Sequence, residues 1–595
     1  MKRLAPELLL ILALTTVLHL RSLGAYFVGD DFNFAQSLGP GGSFSFRDWL
    51  RFFDPGLMGE SALWRPVTWT TWALDYLCHG TRPAGFHVTS LLLHLACVAA
   101  VHRLARRLVP DGSSFAPGAA ALLFALHPAH PDAVVWIAGR ADVVATLFVL
   151  LALAAYVRFR RTGARGSGVG ALVCAALALA SKETAIVLPV ALALLHLLPT
   201  TARPRRDVLA LIPFFALLAG YLLLRRALFG AAASRYSGAD FASAIGGLRE
   251  LWRPPVEMVL GDRGGHPGES LLSALFLGLL VVLGPILEGR RALGRATLPV
   301  LLFAASLLPL AGIPRTTAGR HFHLPLALLA VAAAATLPAV RRPRLALLAF
   351  APLCAVRLHL MNVALDEQIA AGRETRATQQ AAALAQRAHP DARNIVMAGV
   401  PVRAGRVAIF HTGFPGVVSR PFLEEDLSVL PLFDDRPHDL DNVALFVDKP
   451  AVFLARGPQG AWREVGWLPG PPDRSGVPET IRLIEPAAGA VLDLGADPAF
   501  AFAPVQPRRW WRIVFEVGGV TIPLTLDRSH LEVRGGGALE WRLSRRSLFK
   551  QESLPAGLLD RLRGQTIRWR VEGTDKLETL GATSDRSETR TFRAR

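Results

Sequence analysis

The sequence predicts a polytopic α-helical membrane protein, with about eleven transmembrane helices followed by a mixed α/β and β-sandwich-like extracytoplasmic tail. Three observations predict this class. The chain of 595 residues is 52% hydrophobic. Its long apolar runs stop near residue 363, and short basic clusters recur between them. A helix that crosses a bilayer needs about 20 mostly apolar residues, because unpaired backbone amides are too costly in hydrocarbon.

The apolar runs predict where the chain crosses the membrane. We expect eleven spans, at about 5–24, 86–104, 114–127, 138–157, 167–181, 184–201, 207–228, 269–288, 296–313, 321–339 and 344–362. After residue 363 the charge and the Pro and Gly content rise, and no apolar run is long enough to span a bilayer.

The basic clusters predict the orientation of these spans. They fall at every second loop: Lys2 and Arg3; Arg103, Arg106 and Arg107; Arg158, Arg160, Arg161 and Arg165; Arg203, Arg205 and Arg206; Arg290, Arg291 and Arg295; Arg341, Arg342 and Arg344. Lys and Arg concentrate in cytoplasmic loops, so this side faces the cytoplasm of an inner membrane. The extracytoplasmic face then holds loops 25–85, 128–137, 229–268 and 314–320, the 181–184 turn and everything after 363.

The first segment has a second interpretation. The basic start at Lys2 and Arg3, the apolar stretch Leu8–Leu20 and the small residues near Gly24 also resemble a cleaved signal peptide. Either interpretation leaves the acidic pair that follows this segment outside the cytoplasm.

Charge and cysteine content exclude some classes of function. A net charge of +18 could indicate nucleic acid as a partner. Many of the basic residues, however, lie between apolar runs, and we therefore expect no nucleic acid partner. The four cysteines, at Cys78, Cys97, Cys174 and Cys354, form no disulfide framework and no zinc-binding spacing.

The tail is predicted as two segments that follow a transmembrane module at 1–362. Segment 363–478 is α/β, with a surface helix at about 364–388 and strands at Asn394–Val400, Val407–His411 and Val443–Val447, and it ends in a Pro/Gly break at Pro469–Pro478. Segment 479–595 has short alternating strands at Thr480–Ile484, Trp511–Val517, Leu539–Leu543 and Thr566–Val571. This spacing predicts a small β-sandwich.

The acidic pair Asp30-Asp31 is the first candidate for chemistry, because it lies a few residues beyond the first span on the outer side. Adjacent carboxylates raise one another's pKa, which suits a general base, or they bind a divalent cation together. A solvated loop or a helix N-cap is the structural alternative.

A second group surrounds the outer entrance to the fourth span. It consists of His127, His130, Asp132, Arg140 and Asp142. The histidine pair could ligate a metal, although a loop held by prolines explains it as well. Ionisable groups near the membrane interior are costly and are therefore functional candidates, unless they serve packing only.

Three further cations complete the predicted site. Lys182, in Ser181-Lys182-Glu183-Thr184, is one of five lysines among 65 basic residues. An ammonium in so Arg-rich a chain suits phosphate binding, or it pairs locally with Glu183. Arg320, at the outer end of the tenth span, is placed to bind a lipid phosphate or to extend to the headgroups. Arg65 opens an aromatic-rich stretch that suits the membrane interface.

Four stretches of sequence together resemble the GT-C glycosyltransferases, especially the protein O-mannosyltransferase branch with its TMTC-like and PMT-like members. They are Val28-Gly29-Asp30-Asp31-Phe32; Arg65-Pro66 through Asp75 to Gly85-Phe86-His87 and Leu93-His94; Phe124 through His127-Pro128 to Gly139-Arg140; and Ser181-Lys182-Glu183-Thr184. They cover about residues 20–200. The sequence departs from the family pattern at Gly319, usually acidic, and at His323, usually tyrosine. The Arg bias indicates a bacterial source.

The resemblance implies a polyprenyl-phosphate sugar as donor. It implies Asp30 as the catalytic residue and Asp31 as its helper, Arg320 as a ligand of the donor phosphate, and Asp132 as a supporting acidic residue. From the residues themselves we also expect Lys182 and Arg140 to bind the donor phosphate, and Glu183, Asp142, Arg65, His87 and His127 to support the site. We expect an inverting hexosyl or mannosyl transfer, in which Asp30 accepts the proton of the attacking hydroxyl. A divalent cation, Mg²⁺ or Mn²⁺, could bind Asp31.

Three points stay open at this stage. The acceptor could be a protein, a lipid or a polysaccharide. A lipid-linked glycan flippase would also need charges inside a bundle, although such a transporter should show inverted repeats. The membrane region could also be a scaffold without catalytic activity.

Overall fold

The computed structural model of the chain combines a helical region with a C-terminal region of strands. The structure describes residues 5–39, 43–51, 53, 63–109, 115–197, 208–229, 267–312, 319–337, 343–392, 394–410, 413–434, 450–457, 460–468, 480–492, 499–503, 510–517, 520–527, 532–533, 539–542, 565–574, 585–587 and 589–594. The predicted strand Val443–Val447 and most of loop 229–268 lie outside these ranges.

The helical region is built from fifteen described helices and several short 3₁₀ turns. The helices are α1 Pro6–Leu20, α2 Asp30–Leu38, α3 Phe46–Arg51, α4 Pro66–His79, α5 Pro83–Leu108, α6 Ala116–Ala125, α7 Pro131–Val134, α8 Arg140–Thr162, α9 Arg165–Leu179, α10 Leu188–Leu194, α11 Ile212–Phe229, α12 Pro267–Glu288, α13 Arg290–Leu307, α14 His323–Ala335 and α15 Pro343–Ala388. The 3₁₀ turns are Arg21–Gly24, Ile137–Gly139, Glu183–Val187, Leu195–Leu197, Leu308–Gly312 and Gly319–Phe322.

The helical region contains membrane-spanning helices. Among the described residues, five helical stretches are long and apolar enough to cross a bilayer: Pro6–Gly24, Pro83–Leu108, Ile137–Thr162, Ile212–Phe229 and Arg290–Leu310. The chain is therefore a membrane protein. Each of the eleven predicted spans overlaps a described helix, but several of these helices are short, and the number of eleven crossings stays a prediction.

Helix α15 corrects the predicted boundary near residue 363. The sequence predicts a span that ends at 362 and a separate surface helix at 364–388, whereas the structure has one helix of 46 residues. No Gly or Pro interrupts residues 353–371, and their Ala, Leu, Met, Glu and Gln side chains favour a continuous helix. At 1.5 Å per residue the helix is about 69 Å long, well beyond the thickness of a bilayer core.

The chain divides into two compact units. One comprises residues 1–380 with 401–426, and the other comprises residues 381–400 with 427–595. This division differs from the predicted boundaries after 362 and 478, because α15 continues past 362 and segment 401–426 packs with the N-terminal residues. That segment contains the short pair of strands β2 (Arg403–Ala404) and β3 (Val407–Ala408) and the one-turn helix α16 (Phe414–Val417). The predicted strand Val407–His411 is thus reduced to two residues.

The second unit begins with a four-stranded sheet. Its central strand, β1 (Asn394–Val400), pairs in parallel with both β4 (Val429–Phe433) and β5 (Ala451–Arg456). Strand β6 (Trp462–Leu468) pairs antiparallel with β5 at the edge. The first four residues of β1 are buried, which fits a strand with neighbours on both sides.

The remaining strands form one hydrogen-bonded set of ten. They are β7 Thr480–Glu485, β8 Ala490–Leu492, β9 Ala499–Ala503, β10 Trp510–Val517, β11 Val520–Asp527, β12 Glu532–Val533, β13 Leu539–Arg542, β14 Thr566–Thr574, β15 Asp585–Ser587 and β16 Arg590–Ala594. The aromatic ring of Phe500 on β9 lies 5.2 Å from that of Phe515 on β10 and 5.0 Å from that of Trp569 on β14, centroid to centroid. Since β9 pairs with neither strand, two parts of the set pack face to face, as in a sandwich.

Candidate active site

The acidic pair opens helix α2. Gly29 precedes it with a φ of 57°, a left-handed conformation that glycine adopts without strain. The side chain of Asp30 is partly exposed, whereas Asp31 is 3% exposed. The Oδ2 of Asp31 accepts a hydrogen bond from the backbone N–H of Val28 at 3.0 Å, and its Oδ1 accepts one from Ala138 at 2.7 Å. Through these two hydrogen bonds, Asp31 links the loop that leads into the acidic pair, called the acidic loop below, to the turn that precedes α8.

The two carboxylates differ in their surroundings. Burial raises the pKa of Asp31 to about 7, although its backbone hydrogen bonds oppose this shift. Both oxygens of Asp31 accept from backbone donors, and a Mg²⁺ or Mn²⁺ ion at this residue stays a prediction. Asp31 therefore fits a positioning residue, whereas the side chain of Asp30 is partly exposed.

Arg320 lies in the turn Gly319–Phe322, stacked on an indole. Its guanidinium carbon is 4.5 Å from the centre of the Trp136 ring, and Trp136 Nε1 donates to Val28 O at 3.1 Å. Burial lowers the pKa of Arg320, and the carboxylates of Asp142, Asp132 and Asp30 oppose this shift. The guanidinium makes no hydrogen bond or ion pair with any described residue, so its donors remain for a ligand.

Lys182 is brought to the same place and is paired. Its Nζ lies 2.5 Å from Asp142 Oδ2, and both side chains are buried. Burial lowers the pKa of Lys182 to about 8; Asp142 opposes this shift, and the positive charges of Arg65 and Arg320 reinforce it. The structure therefore places Lys182 near Arg320, and Asp142 compensates its charge.

Glu183 forms its ion pair with Arg65 and not with its sequence neighbour Lys182. Its carboxylate accepts from Arg65 Nη2 at 2.8 Å and from Arg65 Nε at 3.2 Å, and Arg225 Nη1 lies 3.8 Å from it. The alternative of a local Lys182–Glu183 pair is therefore not what forms. The part played by Arg225 was not predicted, although an arginine within an apolar helix is itself a signal of a buried ion pair, and its side chain is 1% exposed.

Arg140 does not fit the predicted role of a phosphate ligand. It is fully buried, and its donors go to Ser90 Oγ at 3.0 Å, to Phe86 O at 2.6 Å and to the carboxylate of Asp75 at 2.5 Å. A buried guanidinium must be compensated within the protein, which leaves none of these donors for a substrate. Asp75 also accepts from Thr89 Oγ1 at 2.6 Å. Its role as the counter-ion was not predicted.

The remaining supporting residues form hydrogen bonds with backbone atoms or with neighbouring side chains. Ring nitrogen Nε2 of His87 hydrogen-bonds Ala25 O at 3.0 Å, and Nδ1 of His127 accepts from the N–H of Ala129 at 3.2 Å. Asp132 accepts from Gln368 Nε2 of α15 at 3.1 Å. Asp132, Arg140 and Asp142, which the sequence places in one group, thus have different partners in the structure.

A covering segment from late in the chain, residues 413–422, packs on the acidic loop. The ring of Phe422 lies 5.2 Å from that of Phe27 and 4.7 Å from that of Phe32, centroid to centroid. Gln379 Nε2 holds the segment by donating to Val417 O at 2.7 Å. No local pattern in the sequence indicated this contact.

Comparison with known proteins gives a family likeness for part of the chain. A family model described as Dolichyl-phosphate-mannose-protein mannosyltransferase matches residues 66–226. The matched region contains Asp132, Asp142, Lys182 and Glu183. In the sequence, Asp30 precedes it and Arg320 follows it.

Several relatives are named as protein O-mannosyl-transferases. Protein O-mannosyl-transferase Tmtc1 of Drosophila melanogaster is 35% identical over 200 residues, which cover 33% of this chain and 23% of that protein. Tmtc2 of the same organism is 38% identical over 190 residues, covering 29% and 20%. Human TMTC2 is 34% identical over 134 residues, covering 22% and 16%. The chain thus spans less than a quarter of the length of these relatives.

Among solved structures, ArnT from Cupriavidus metallidurans in the apo state aligns with 76% of this chain and 93% of its own. The TM-score is 0.44 and the sequence identity is 13%. This likeness is too loose to bear on the function.

Proposed function

We propose that the chain transfers a sugar from a polyprenyl-phosphate donor to an acceptor hydroxyl on the extracytoplasmic face. One observation carries this proposal: the partly exposed Asp30 interacts electrostatically with Arg320, and the guanidinium of Arg320 makes no hydrogen bond with a residue that the structure describes. A carboxylate near an available guanidinium is what a reaction between a hydroxyl and a phosphate ester requires.

Arg320 is the proposed ligand of the donor phosphate. A guanidinium offers parallel N–H donors that match two oxygens of one phosphate group. Its position on the Trp136 ring limits the directions in which those donors point. The Lys182–Asp142 pair contributes less charge than a free lysine would, and we propose that it positions the site beside Arg320.

Asp30 is the proposed general base. It accepts the proton of the acceptor hydroxyl while that oxygen attacks the anomeric carbon of the donor. The bond from the anomeric carbon to the phosphate oxygen breaks, and the lipid phosphate leaves with its charge stabilised by Arg320. A single displacement of this kind inverts the anomeric configuration.

The names of the relatives extend the proposal to mannose as the sugar and to a protein as the acceptor. Lipid and polysaccharide acceptors are the other outcomes of a product analysis. Cell-envelope fractions from a deletion strain and its complemented parent should therefore differ in protein-linked mannose.

The direct test is Asp30→Asn, with Asp48→Asn as the matched control. Asp48 lies in α3 of the same outer loop and forms a surface pair with Arg51 at 3.3 Å. In membranes supplied with radiolabelled polyprenyl-phosphate mannose, Asp30→Asn should lower the transfer rate by about 100-fold or more. Asp48→Asn should leave it unchanged. Full activity of Asp30→Asn at equal expression would reject Asp30 as the base.

A further inference from the structure

Three buried histidines from distant parts of the chain meet inside the first unit. His94 lies on α5, His130 immediately precedes α7, and His323 is the first residue of α14. Each is 1% exposed or less. Each offers one ring nitrogen, and the three nitrogens lie within 4.8 Å of one another. We call these residues the histidine cluster.

The closest pair in the histidine cluster has the spacing of two metal ligands. Nδ1 of His94 and Nε2 of His323 are 3.2 Å apart. In a tetrahedral zinc site with Zn–N bonds of about 2.0–2.1 Å, two ligand nitrogens lie roughly 3.3–3.4 Å apart. A direct N–H to N hydrogen bond between the two rings would have a similar length. The surroundings of the other histidines therefore have to distinguish a metal site from a hydrogen bond.

His130 has the second hydrogen bond that metal-binding histidines usually make. Its Nε2 lies 2.5 Å from the carbonyl oxygen of Phe124, which can only accept a proton. Nε2 therefore carries the hydrogen, and Nδ1 keeps its lone pair. A ligating imidazole is typically oriented in this way, by donating its other N–H to a carbonyl or a carboxylate.

His19 on α1 repeats this arrangement next to the cluster. Its ring centre lies 5.6 Å from that of His94, and its Nδ1 hydrogen-bonds Thr15 O at 3.0 Å. Its Nε2 is buried and has no hydrogen-bond partner among the residues that the structure describes. A buried lone pair without a partner is costly, and a metal ion or an ordered water would satisfy it.

We propose that the histidine cluster binds one first-row transition-metal ion of the zinc type, with His94, His130 and His323 as ligands and His19 as a candidate for the fourth position. Imidazole nitrogens suit such ions and do not suit Mg²⁺ or Ca²⁺. The ion would join α5, the turn before α7 and α14. His130 lies two residues before Asp132, and His323 lies three residues after Arg320, so the metal would fix the backbone that carries both.

This proposal does not depend on sugar transfer and is tested by binding. The full chain is purified in detergent, treated with EDTA and titrated with Zn²⁺, and bound metal is counted by mass spectrometry. The wild-type chain should retain about one ion after dialysis. Titration with Co²⁺ should give the visible absorption bands of a tetrahedral nitrogen site, and excess Zn²⁺ should remove them.

Single substitutions assign the ligands. His94→Asn, His130→Asn and His323→Phe should each weaken Zn²⁺ binding by about 100-fold or more, since even an outer partner of a ligand contributes about 10–100-fold. The control is His79→Gln, which removes an exposed histidine of α4 and should leave binding unchanged.

The outcomes separate a metal site from a hydrated cluster. If the wild-type chain retains no Zn²⁺ and gives no tetrahedral Co²⁺ spectrum, the cluster is a water-bridged network and the proposal is wrong. The same conclusion follows if the three variants bind Zn²⁺ as the wild type does. If a variant fails to fold, the Co²⁺ spectrum of the wild-type chain still decides the matter.

Discussion

Gly413 approaches the backbone of Gly29 so closely that a side chain at position 413 would have no room. A Cβ built on Gly413 would lie 2.1 Å from the carbonyl oxygen of Gly29 and 2.7 Å from its carbonyl carbon. Gly29 directly precedes Asp30, so the covering segment 413–422 presses on the backbone that presents the proposed base. The position of that segment is therefore linked to the geometry of the acidic loop.

Gly413→Ala tests this link, with Gly405→Ala as a matched control. Both glycines have a positive φ, at 84° and 57°, so alanine should cost about 1–2 kcal/mol in backbone strain at either position. Nothing lies within 4 Å of a Cβ at Gly405, whereas Gly413→Ala must displace the covering segment. We expect sugar transfer to fall at least about tenfold further in Gly413→Ala than in Gly405→Ala. Equal activity in the two variants would show that the covering segment does not position Asp30.

The buried carboxyl of Asp31 predicts a pH dependence of stability. Its pKa is raised from 3.8 to about 7 by burial, so between these values the unfolded chain has released this proton while the folded chain retains it. Stability from this group is full below its unfolded pKa and is lost as the pH rises through its folded pKa. The loss is at most about 4 kcal/mol. Thermal unfolding in detergent at about pH 5 and about pH 8 measures it.

Asp31→Asn should remove this component of the pH dependence, since an amide does not titrate in this range. Asp48→Asn should keep it. If Asp31→Asn showed the same change in midpoint between the two pH values as the wild type, Asp31 would not be the titrating group.

The buried Arg140–Asp75 pair predicts a large effect on stability. Asp75→Asn leaves the fully buried guanidinium without its counter-ion, and we expect a loss of about 3–5 kcal/mol. Removing both charges, with Asp75→Leu and Arg140→Met, should cost less than Asp75→Asn alone. Asp366→Asn breaks an exposed pair with Arg21 and should cost at most about 1 kcal/mol. Unfolding free energies in detergent check all three values, and a double variant less stable than Asp75→Asn would contradict this account.

Much of the candidate site could be predicted from the sequence because charges in apolar surroundings are conspicuous. Asp30, Asp132, Asp142, Lys182 and Arg320 were selected on that ground, and the structure brings the carboxylates around Arg320. The pairing of these charges could not be predicted. The pairing depends on which helix faces pack together. The sequence of an apolar helix of Leu and Ala does not indicate which helix it packs against.

The covering segment and the histidine cluster illustrate a second limit. Phe422 lies almost four hundred residues from Phe27, and nothing in the local pattern of either predicts their contact. His94, His130 and His323 were each visible in the sequence, but only the pair His127 and His130 was considered as a metal site. The helix boundary at 362 was wrong for a different reason, because hydropathy marks the end of an apolar stretch and not the end of a helix.

Lys182 predicts an alkaline limit to activity. Its pKa is lowered to about 8, so the ammonium that pairs with Asp142 loses its charge as the pH rises through that value. We expect the transfer rate to fall above about pH 8 in the wild type. Lys182→Arg keeps a positive charge at all these pH values and should extend the activity to higher pH, even if its maximal rate is lower. An unchanged alkaline limit in Lys182→Arg would assign that limit to another group.

Arg320 and Trp136 give the last prediction, which concerns the affinity for the donor. Arg320→Gln removes charge-assisted hydrogen bonds of about 1.5–3 kcal/mol, so binding of polyprenyl phosphate should weaken by about 10–150-fold. Trp136→Leu removes the ring under the guanidinium and should weaken binding by about 2–30-fold, as expected for a loss of 0.5–2 kcal/mol. The double variant should bind no more weakly than Arg320→Gln, because the ring acts through the guanidinium. Calorimetric titration with polyprenyl phosphate measures each affinity, and Arg21→Gln, an exposed arginine, is the control. Fully additive losses in the double variant would show that Trp136 contacts the donor by itself.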